Sequence, residues 1–197
     1  FKRTLFEDIG TVTEDCLINK LRGEYQALCI VNTKKRAQNI YQELKEEGVY
    51  HLSTSMYPKH RKQVLEEIIE RLREDKKCIL ISTSLVEAGV DLDFETVYRQ
   101  IAGVDSMIQA AGRCNREGKR PLQKSRVYIF NFGGAEKVPS QRQQIDAAKS
   151  LLKNGADLSN PESIAHYFKM LYHYKENQMD KKDVLSVPNK ALRFTPE

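Results

Sequence analysis

Short, uninterrupted apolar runs recur along the first two thirds of the chain. Runs that are apolar at every position are typical of parallel strands covered by helices on both faces. Such runs predict buried strands at residues 27–31, 78–81 and 127–130. A run at 97–101, interrupted by Arg99 and Gln100, predicts a fourth, and a weaker run predicts a fifth at 49–52. We expect these strands to form the centre of the fold.

Helical patterns separate these strands. Amphipathic stretches predict helices at residues 34–47, 58–74 and 105–115, the last capped by Asp105 or Ser106. Strands that alternate with helices over short connections predict an α/β fold, an open parallel sheet flanked by helices. Such sheets bind ligands where their strands end. The expected functional segments are residues 32–33, 53–55 and 82–91, and the helix after Ile101.

The pattern changes after Gly134. Residues 141–153 and 162–176 predict two further helices, and no strand pattern follows them. We therefore expect a sheet domain over residues 1–135 and a helical extension over residues 136–197 that packs on it, ending in a tail at 184–197. Since the chain starts at Phe1 without Met, we also expect it to be a piece of a longer protein.

The composition favours a soluble, cytoplasmic protein with no membrane contact, because no apolar run approaches the roughly 18 to 20 residues that a membrane helix needs. The four cysteines are far apart and form no C-x-x-C pair. His166 and His173 lie seven residues apart on a predicted helix but lack a third ligand. No metal site is predicted.

Positive charge is concentrated in one stretch of the chain. Residues 109–126 contain six Lys or Arg and one acid, Glu117, whereas acids and cations balance elsewhere, so this stretch carries the whole net charge of +5. A local excess of this kind focuses positive potential, as an anion site requires.

Gln109, Gly112, Arg113 and Arg116 fall three or four residues apart within this stretch, and so on one side of the predicted helix. Two guanidiniums aimed at one point suit a triphosphate, because each binds phosphate in a bidentate manner. A surface helix held by salt bridges is the alternative. It would need acids at matching spacing, and residues 109–120 offer only Glu117.

A second candidate segment leaves the strand at 78–81 through Ser82, Thr83 and Ser84 and reaches Gly89 and Asp91. Hydroxyls and backbone amides can bond phosphates, glycine permits close approach, and aspartate accepts from ribose hydroxyls. A capping turn would use the same hydroxyl residues. The segment alone leaves both interpretations open.

The two segments together resemble motifs V and VI of the second RecA-like domain of superfamily 2 helicases: T-x-x-x-E-x-G-V-D from Thr83 and Q-x-x-G-R-x-x-R from Gln109. The stretch 52–61, L-S-T-x-M-x-P-x-H-R, resembles the CRISPR-associated helicase-nuclease of type I interference systems, and residues 31–33 resemble that family's motif IV. Ser84 departs from the family, which more often has glutamine there.

This resemblance implies the C-terminal motor half of an ATP-dependent single-stranded DNA translocase or helicase in CRISPR antiviral defence. Arg113 and Arg116 would be arginine fingers, with Gln109 as a further catalytic residue. Gly89 and Asp91 would bind ATP together with the two arginines. The implied nucleic-acid contacts are Asn32, Thr33, Ser55, Arg61, Thr83 and Ser84.

Several elements of a complete motor are missing from the sequence. There is no G-x-x-x-x-G-K-[ST] loop, no D-E-x-[HD] box and no His-Asp pair. We therefore expect an isolated fragment to be inactive, with ATP shared with an N-terminal RecA-like domain that also holds Mg²⁺. The implied partners are single-stranded DNA, the N-terminal RecA-like and nuclease domains of the parent protein, and an RNA-guided CRISPR surveillance complex.

Two other interpretations remain open. The basic stretch at 109–126 would also suit a non-catalytic module that binds nucleic acid or docks to a protein through charge alone. A related superfamily 2 motor that acts on RNA would carry much the same motifs.

Overall fold

The computed structural model describes residues 3–86, 91–133 and 141–179. Six strands within these ranges form one sheet in the order β1-β6-β5-β2-β4-β3, and every neighbouring pair is parallel. They are β1 (Leu5–Val12), β2 (Gln26–Ile30), β3 (Val49–Leu52), β4 (Cys78–Ser82), β5 (Thr96–Gln100) and β6 (Arg126–Phe132). The predicted open parallel sheet is confirmed.

Six α-helices accompany these strands in the described ranges: α1 (Glu14–Arg22), α2 (Lys34–Leu44), α3 (Pro58–Arg73), α4 (Val104–Ala111), α5 (Arg142–Lys153) and α6 (Pro161–Met179). Neighbouring residues of a strand point to opposite faces of the sheet. Leu28 and Leu80 face a core built with α3 to α6, whereas Cys29 and Ile79 face a core built with α1 and α2. Because both faces are covered, the central strands β2 and β4 are almost wholly apolar, which made them predictable, whereas the equally buried β5 includes Arg99 and Gln100.

The sequence patterns missed β1 and α1. Strand β1 lies at the edge of the sheet beside β6 and exposes Glu7 and Asp8, so it lacks a continuous apolar run. Helix α1 is short, but it carries a local signal: Thr13 accepts a hydrogen bond from the Cys16 N–H at 3.1 Å, and Leu17 and Leu21 are buried one turn apart.

The helical extension packs on the sheet domain. Ala147 and Leu151 of α5 and Tyr167 of α6 belong to the same buried cluster as Val104 and Met107 of α4. The expected boundary between residues 135 and 136 lies outside the described residues, as does the expected tail at 184–197. The division into two units therefore stays a prediction.

Helix α4 is shorter than the sequence predicted, and its N-cap is Gly103 rather than Asp105 or Ser106. The chain leaves the helix because residues 113–115 pair with the segment that precedes β5. The Phe94 N–H donates to the Arg113 carbonyl at 2.9 Å, and the Asn115 N–H donates to the Phe94 carbonyl at 3.0 Å. Asn115 adopts a positive φ of 48° in this turn.

None of the helices in the described ranges is both long enough and apolar enough to cross a membrane.

Candidate nucleotide and nucleic-acid sites

The ends of β2, β3 and β4 lie side by side at one edge of the sheet. Ser82 is paired in register with Ile30 on one side and Leu52 on the other, and its hydroxyl donates to the Leu52 carbonyl at 2.9 Å. The segments that follow these strands therefore meet at a common border, which we call the strand-end edge. It brings together the segments that carry the candidate nucleic-acid contacts.

Asn32 and Thr33 at this edge are bonded within the domain. The Asn32 N–H donates to Gln100 Oε1 and its Nδ2 donates to the Ile101 carbonyl, both at 2.9 Å, so Asn32 ties β2 to the end of β5. Thr33 is the N-cap of α2, and its hydroxyl accepts from the Arg36 N–H at 3.4 Å. Both side chains have a structural role in addition to the predicted nucleic-acid contact.

Arg99 is a residue of this edge that sequence reasoning missed. Its side chain is only 1% exposed. Nη1 donates to Asn32 Oδ1 at 2.8 Å and to the Gln100 carbonyl at 2.6 Å, and Nη2 donates to the Ser106 hydroxyl at 3.0 Å. Arg99 thus fixes the ends of β2 and β5 against α4. An arginine inside an otherwise buried strand was the available signal.

The remaining candidates at the strand-end edge differ in accessibility. Ser55 and Ser84 are exposed, Arg61 is half-buried and Thr83 is buried. The exposed hydroxyls can reach a ligand, whereas Thr83 offers little more than its backbone in this conformation.

The segment from Arg113 to Arg120 is here called the arginine segment. It lies opposite the strand-end edge, at the side of the sheet where the strands begin. Cys114 pairs with Phe94, which precedes β5, and Arg120 Nη2 donates to Oε1 of Gln26, the first residue of β2, at 3.2 Å. These arginines therefore do not lie where the strands end, the location that the sequence analysis expected for them. Helix α4 starts at the strand-end edge but runs back across the sheet.

Arg113 points into the protein. Its side chain is buried, with 6% of the residue exposed, and Nε donates to the Val86 carbonyl at 3.1 Å. Burial lowers the pKa of Arg113, the nearby charge of Arg116 lowers it further, and Asp91 acts in the opposite direction. The prediction that both arginines project from one side of a helix is wrong, because both lie beyond the end of α4.

Arg116 points outward. Its Nε lies 2.8 Å from Asp91 Oδ1, and the two side chains are 43% and 82% exposed. Its backbone N–H donates to Asp93 Oδ1 at 2.8 Å, which fixes the main chain while the guanidinium stays accessible. Gln109 is exposed on α4. Gly89, the other predicted ATP contact, lies outside the described residues.

The positive charge of this region is largely paired. Arg120 lies 3.0 Å from Asp93 and 3.7 Å from Glu95, and Arg126 lies 2.9 Å from Glu7. Acids from other parts of the chain therefore compensate much of the local excess counted along the sequence. The compensating acids come from β1 and from the segment before β5, which a count along the local sequence does not include.

Two cavities border the arginine segment, each of about 460 Å³. Arg116 lines the first together with Gly112 and Pro161. Its ion-pair partner Asp91 lines the second together with Ile69 and Leu72 of α3, and the three acids and three cations around this cavity balance one another.

Within the described ranges, no three or more His, Cys, Asp or Glu residues are grouped so that they could hold a metal ion. Cys29, Cys78 and Cys114 are buried free thiols, and burial raises the pKa of each to about 12. These three cysteines are therefore core residues and not reactive groups.

A six-stranded parallel sheet of this order, flanked by helices, has the architecture of a RecA-like domain, and the hydroxyl residues after β4 and the G-R-x-x-R turn after α4 resemble motifs of superfamily 2 helicases. Residues 23–119 match the family described as "CRISPR-associated nuclease/helicase Cas3, C-terminal". This part of the chain is thus similar to the C-terminal helicase domain of Cas3, and the family resemblance inferred from its motifs is confirmed.

Known proteins of this family are similar over most of the described chain. The CRISPR-associated nuclease/helicase Cas3 of Methanothermobacter thermautotrophicus is 28% identical over 135 residues, which cover 66% of this chain and 16% of that protein. The crystal structure of T. fusca Cas3-ATP has a TM-score of 0.66 at 18% identity and covers 84% of this chain and 23% of that one. A chain of a CRISPR RNA-guided surveillance complex, pre-nicking, has a TM-score of 0.68 at 19% identity, over 87% of this chain and 25% of that one. This chain therefore spans a minor part of the proteins that it matches.

Proposed function

We propose that this chain supplies the C-terminal motor half of an ATP-dependent single-stranded DNA translocase or helicase in CRISPR antiviral defence. The observation that carries the proposal is the exposed Arg116–Asp91 pair, 2.8 Å apart on a turn whose backbone is fixed. Exposed ion pairs contribute little to stability. Arg116 can therefore exchange its carboxylate partner for a phosphate at small cost.

In this proposal ATP lies between this domain and an N-terminal RecA-like domain outside the chain, which also holds Mg²⁺. Arg116 reaches across and stabilises the charge that develops on the γ-phosphate, as arginine fingers do. Gln109 orients the γ-phosphate or the attacking water, and Asp91 and Gly89 bind the ribose side. The exposure of Gln109, Arg116 and Asp91 supports these assignments.

Arg113 is proposed to act on the same phosphate and to couple the two edges of the sheet. Its bond to the Val86 carbonyl holds the connection from β4 to β5, which starts at Thr83 and Ser84 on the strand-end edge. A displacement of Arg113 on ATP binding would pull on this connection. This contact supports a route by which nucleotide binding changes the affinity of the strand-end edge for DNA.

The strand-end edge is proposed to bind the DNA backbone. Ser55, Arg61 and Ser84 offer side chains to phosphates, and Thr83 offers mainly its backbone. Asn32 and Thr33, which are bonded within the domain, position the segment after β2 for this contact. Contacts of this kind do not depend on base identity, which suits movement along a strand. The nuclease domain of the parent protein and a CRISPR surveillance complex are the proposed partners, and the cytoplasm is the proposed location.

The decisive experiment compares two arginine variants of the full-length protein. Arg116→Ala is expected to lower steady-state ATP turnover by about 10³-fold while changing ATP affinity much less. Arg126→Ala is the matched control, because Arg126 is also 43% exposed and ion-paired but lies outside the motif. Near wild-type turnover of the Arg116 variant would overturn the proposal.

The non-catalytic module loses support because Asp93, Glu95 and Glu7 neutralise much of the basic stretch. An Arg113→Lys, Arg116→Lys double variant separates the two functions. Charge-only binding would survive it, whereas bidentate contacts to the γ-phosphate would be lost together with turnover. A motor acting on RNA is separated by comparing ATP turnover in the presence of single-stranded DNA and of RNA.

A further inference from the structure

The turn between β3 and α3 presents an aromatic ring to solvent at the strand-end edge. Tyr57 is 74% exposed, and it is the most exposed of the large hydrophobic side chains at the surface of the described ranges. A single exposed aromatic residue is ordinary at a protein surface. The fixed backbone and the positive charges near Tyr57 distinguish it from such a residue.

The backbone beneath the ring is fixed on both sides. Pro58 begins α3, and the Tyr57 carbonyl accepts from the Arg61 N–H at 3.0 Å. On the other side the Met56 N–H donates to the Ser53 carbonyl at 3.2 Å, and Met56 packs against the core. A ring on a fixed backbone loses little conformational freedom when a ligand stacks on it.

The charge around the ring complements a nucleic acid. Residues 53–65 contain no Asp or Glu but carry Lys59, Arg61 and Lys62, with His60 between them. Lys59 and Arg61 lie in the first turn of α3, where cations oppose the helix dipole, so helix stability does not explain these two residues. Lys62 lies 3.8 Å from Glu66 one turn further along α3, whereas Lys59, His60 and Arg61 lie nearest to the ring in the sequence. An aromatic ring beside cations is typical of single-strand binding grooves.

The position of the ring agrees with this chemistry. Because Leu52 pairs with Ser82, the turn after β3 lies beside the segment after β4 that contains Ser84. Ser55, on the same turn, is exposed as well. A strand whose phosphates contact these hydroxyls would have its bases within reach of Tyr57.

We propose that Tyr57 stacks on a base of single-stranded DNA, while Lys59 and its neighbouring cations contact the adjacent phosphates. The proposal rests on the proposed function and extends it, because the other contacts at this edge involve the DNA backbone alone. It adds a contact to the face of a base, which every base can supply.

The test uses the full-length protein and two fluorescein-labelled strands of equal length, an oligothymidylate and an abasic strand. Tyr57→Ala is expected to weaken binding to the oligothymidylate by about 5-fold to 100-fold, and Tyr57→Phe by no more than about 2-fold, because the phenyl ring still stacks. On the abasic strand, wild type and Tyr57→Ala are expected to bind equally. Tyr172→Ala, which removes another ring that is 67% exposed, is the control and should change neither affinity.

Equal affinities of wild type and Tyr57→Ala for the oligothymidylate would overturn the stacking contact. An equal loss on both strands would also overturn it, because the ring would then act without a base. If stacking fails but Arg116→Ala abolishes turnover, the proposed function stands. If the wild-type protein binds neither strand, both proposals fail.

Discussion

At the strand-end edge, polar side chains such as Asn32 and Thr33 bond within the domain, whereas the arginine segment at the opposite edge leaves a charged side chain at the surface. The first edge can meet a ligand through backbone groups, exposed hydroxyls and the Tyr57 ring. The second edge meets it through Arg116. Contacts that do not depend on base identity suit a DNA strand that moves along the protein. A guanidinium suits a phosphate on which negative charge develops during the reaction.

The largest effect is expected when Arg113 or Arg116 of the arginine segment is substituted. In the full-length protein, Arg113→Ala and Arg116→Ala are each expected to lower ATP turnover by about 10³-fold, and the double variant by much less than the product. Only Arg113→Ala should also destabilise the fold, by about 1–3 kcal/mol, because it removes a buried partner of the Val86 carbonyl. Turnover and thermal unfolding of the same variants provide the comparison. Equal thermal stability of the two single variants would contradict the difference in burial.

A smaller effect is expected at the strand-end edge from Asn32→Ala. This change removes the bond from buried Arg99 and is expected to lower the free energy of unfolding by about 1.5–3 kcal/mol, the usual range for a bond to a charged group. Ser55→Ala at the same edge should change it by less than about 0.5 kcal/mol, because Ser55 is exposed. Urea titrations measure both. Similar midpoints for the two variants would show that Asn32 does not hold this edge together.

The smallest effect concerns the cap of α2. Thr33→Ala is expected to lower the free energy of unfolding by about 1 kcal/mol, and Thr33→Ser to preserve most of it, because serine can accept the same bond from the Arg36 N–H. Single-stranded DNA affinity measured on both variants tests the predicted contact. A loss of affinity in the alanine variant alone would assign the hydroxyl to DNA as well as to the cap.

Central and peripheral elements differed in how well the sequence predicted them. Strands β2 and β4 are buried on both faces and were found as apolar runs, whereas the edge strand β1 exposes Glu7 and Asp8 and was missed. The end of α4 was also misplaced. Its turn is fixed by hydrogen bonds between Phe94 and residues 113–115, and such partners do not appear in a helical periodicity.

For the candidate site residues too, local motifs were visible in the sequence, whereas contacts between distant segments were not. A nucleotide-binding role for Gln109–Arg116 could be predicted because Q-x-x-G-R-x-x-R is a local motif, and it stays a prediction. The difference between buried Arg113 and exposed Arg116 was not readable, since both have the same side chain in the same motif. Arg99 was overlooked because its partners Asn32 and Ser106 come from other elements.

The sequence by itself determined the fold class and the order of the motifs, because strand burial, helix periodicity and motif spacing are all properties of neighbouring residues. Only the tertiary structure decided which charges meet. Arg126 pairs with Glu7, 119 positions away, and Arg116 with Asp91 from the connection before β5. Coulomb interactions depend on distance through space and not along the chain. The folded chain therefore paired most of the basic stretch and left the Arg116–Asp91 pair at the surface.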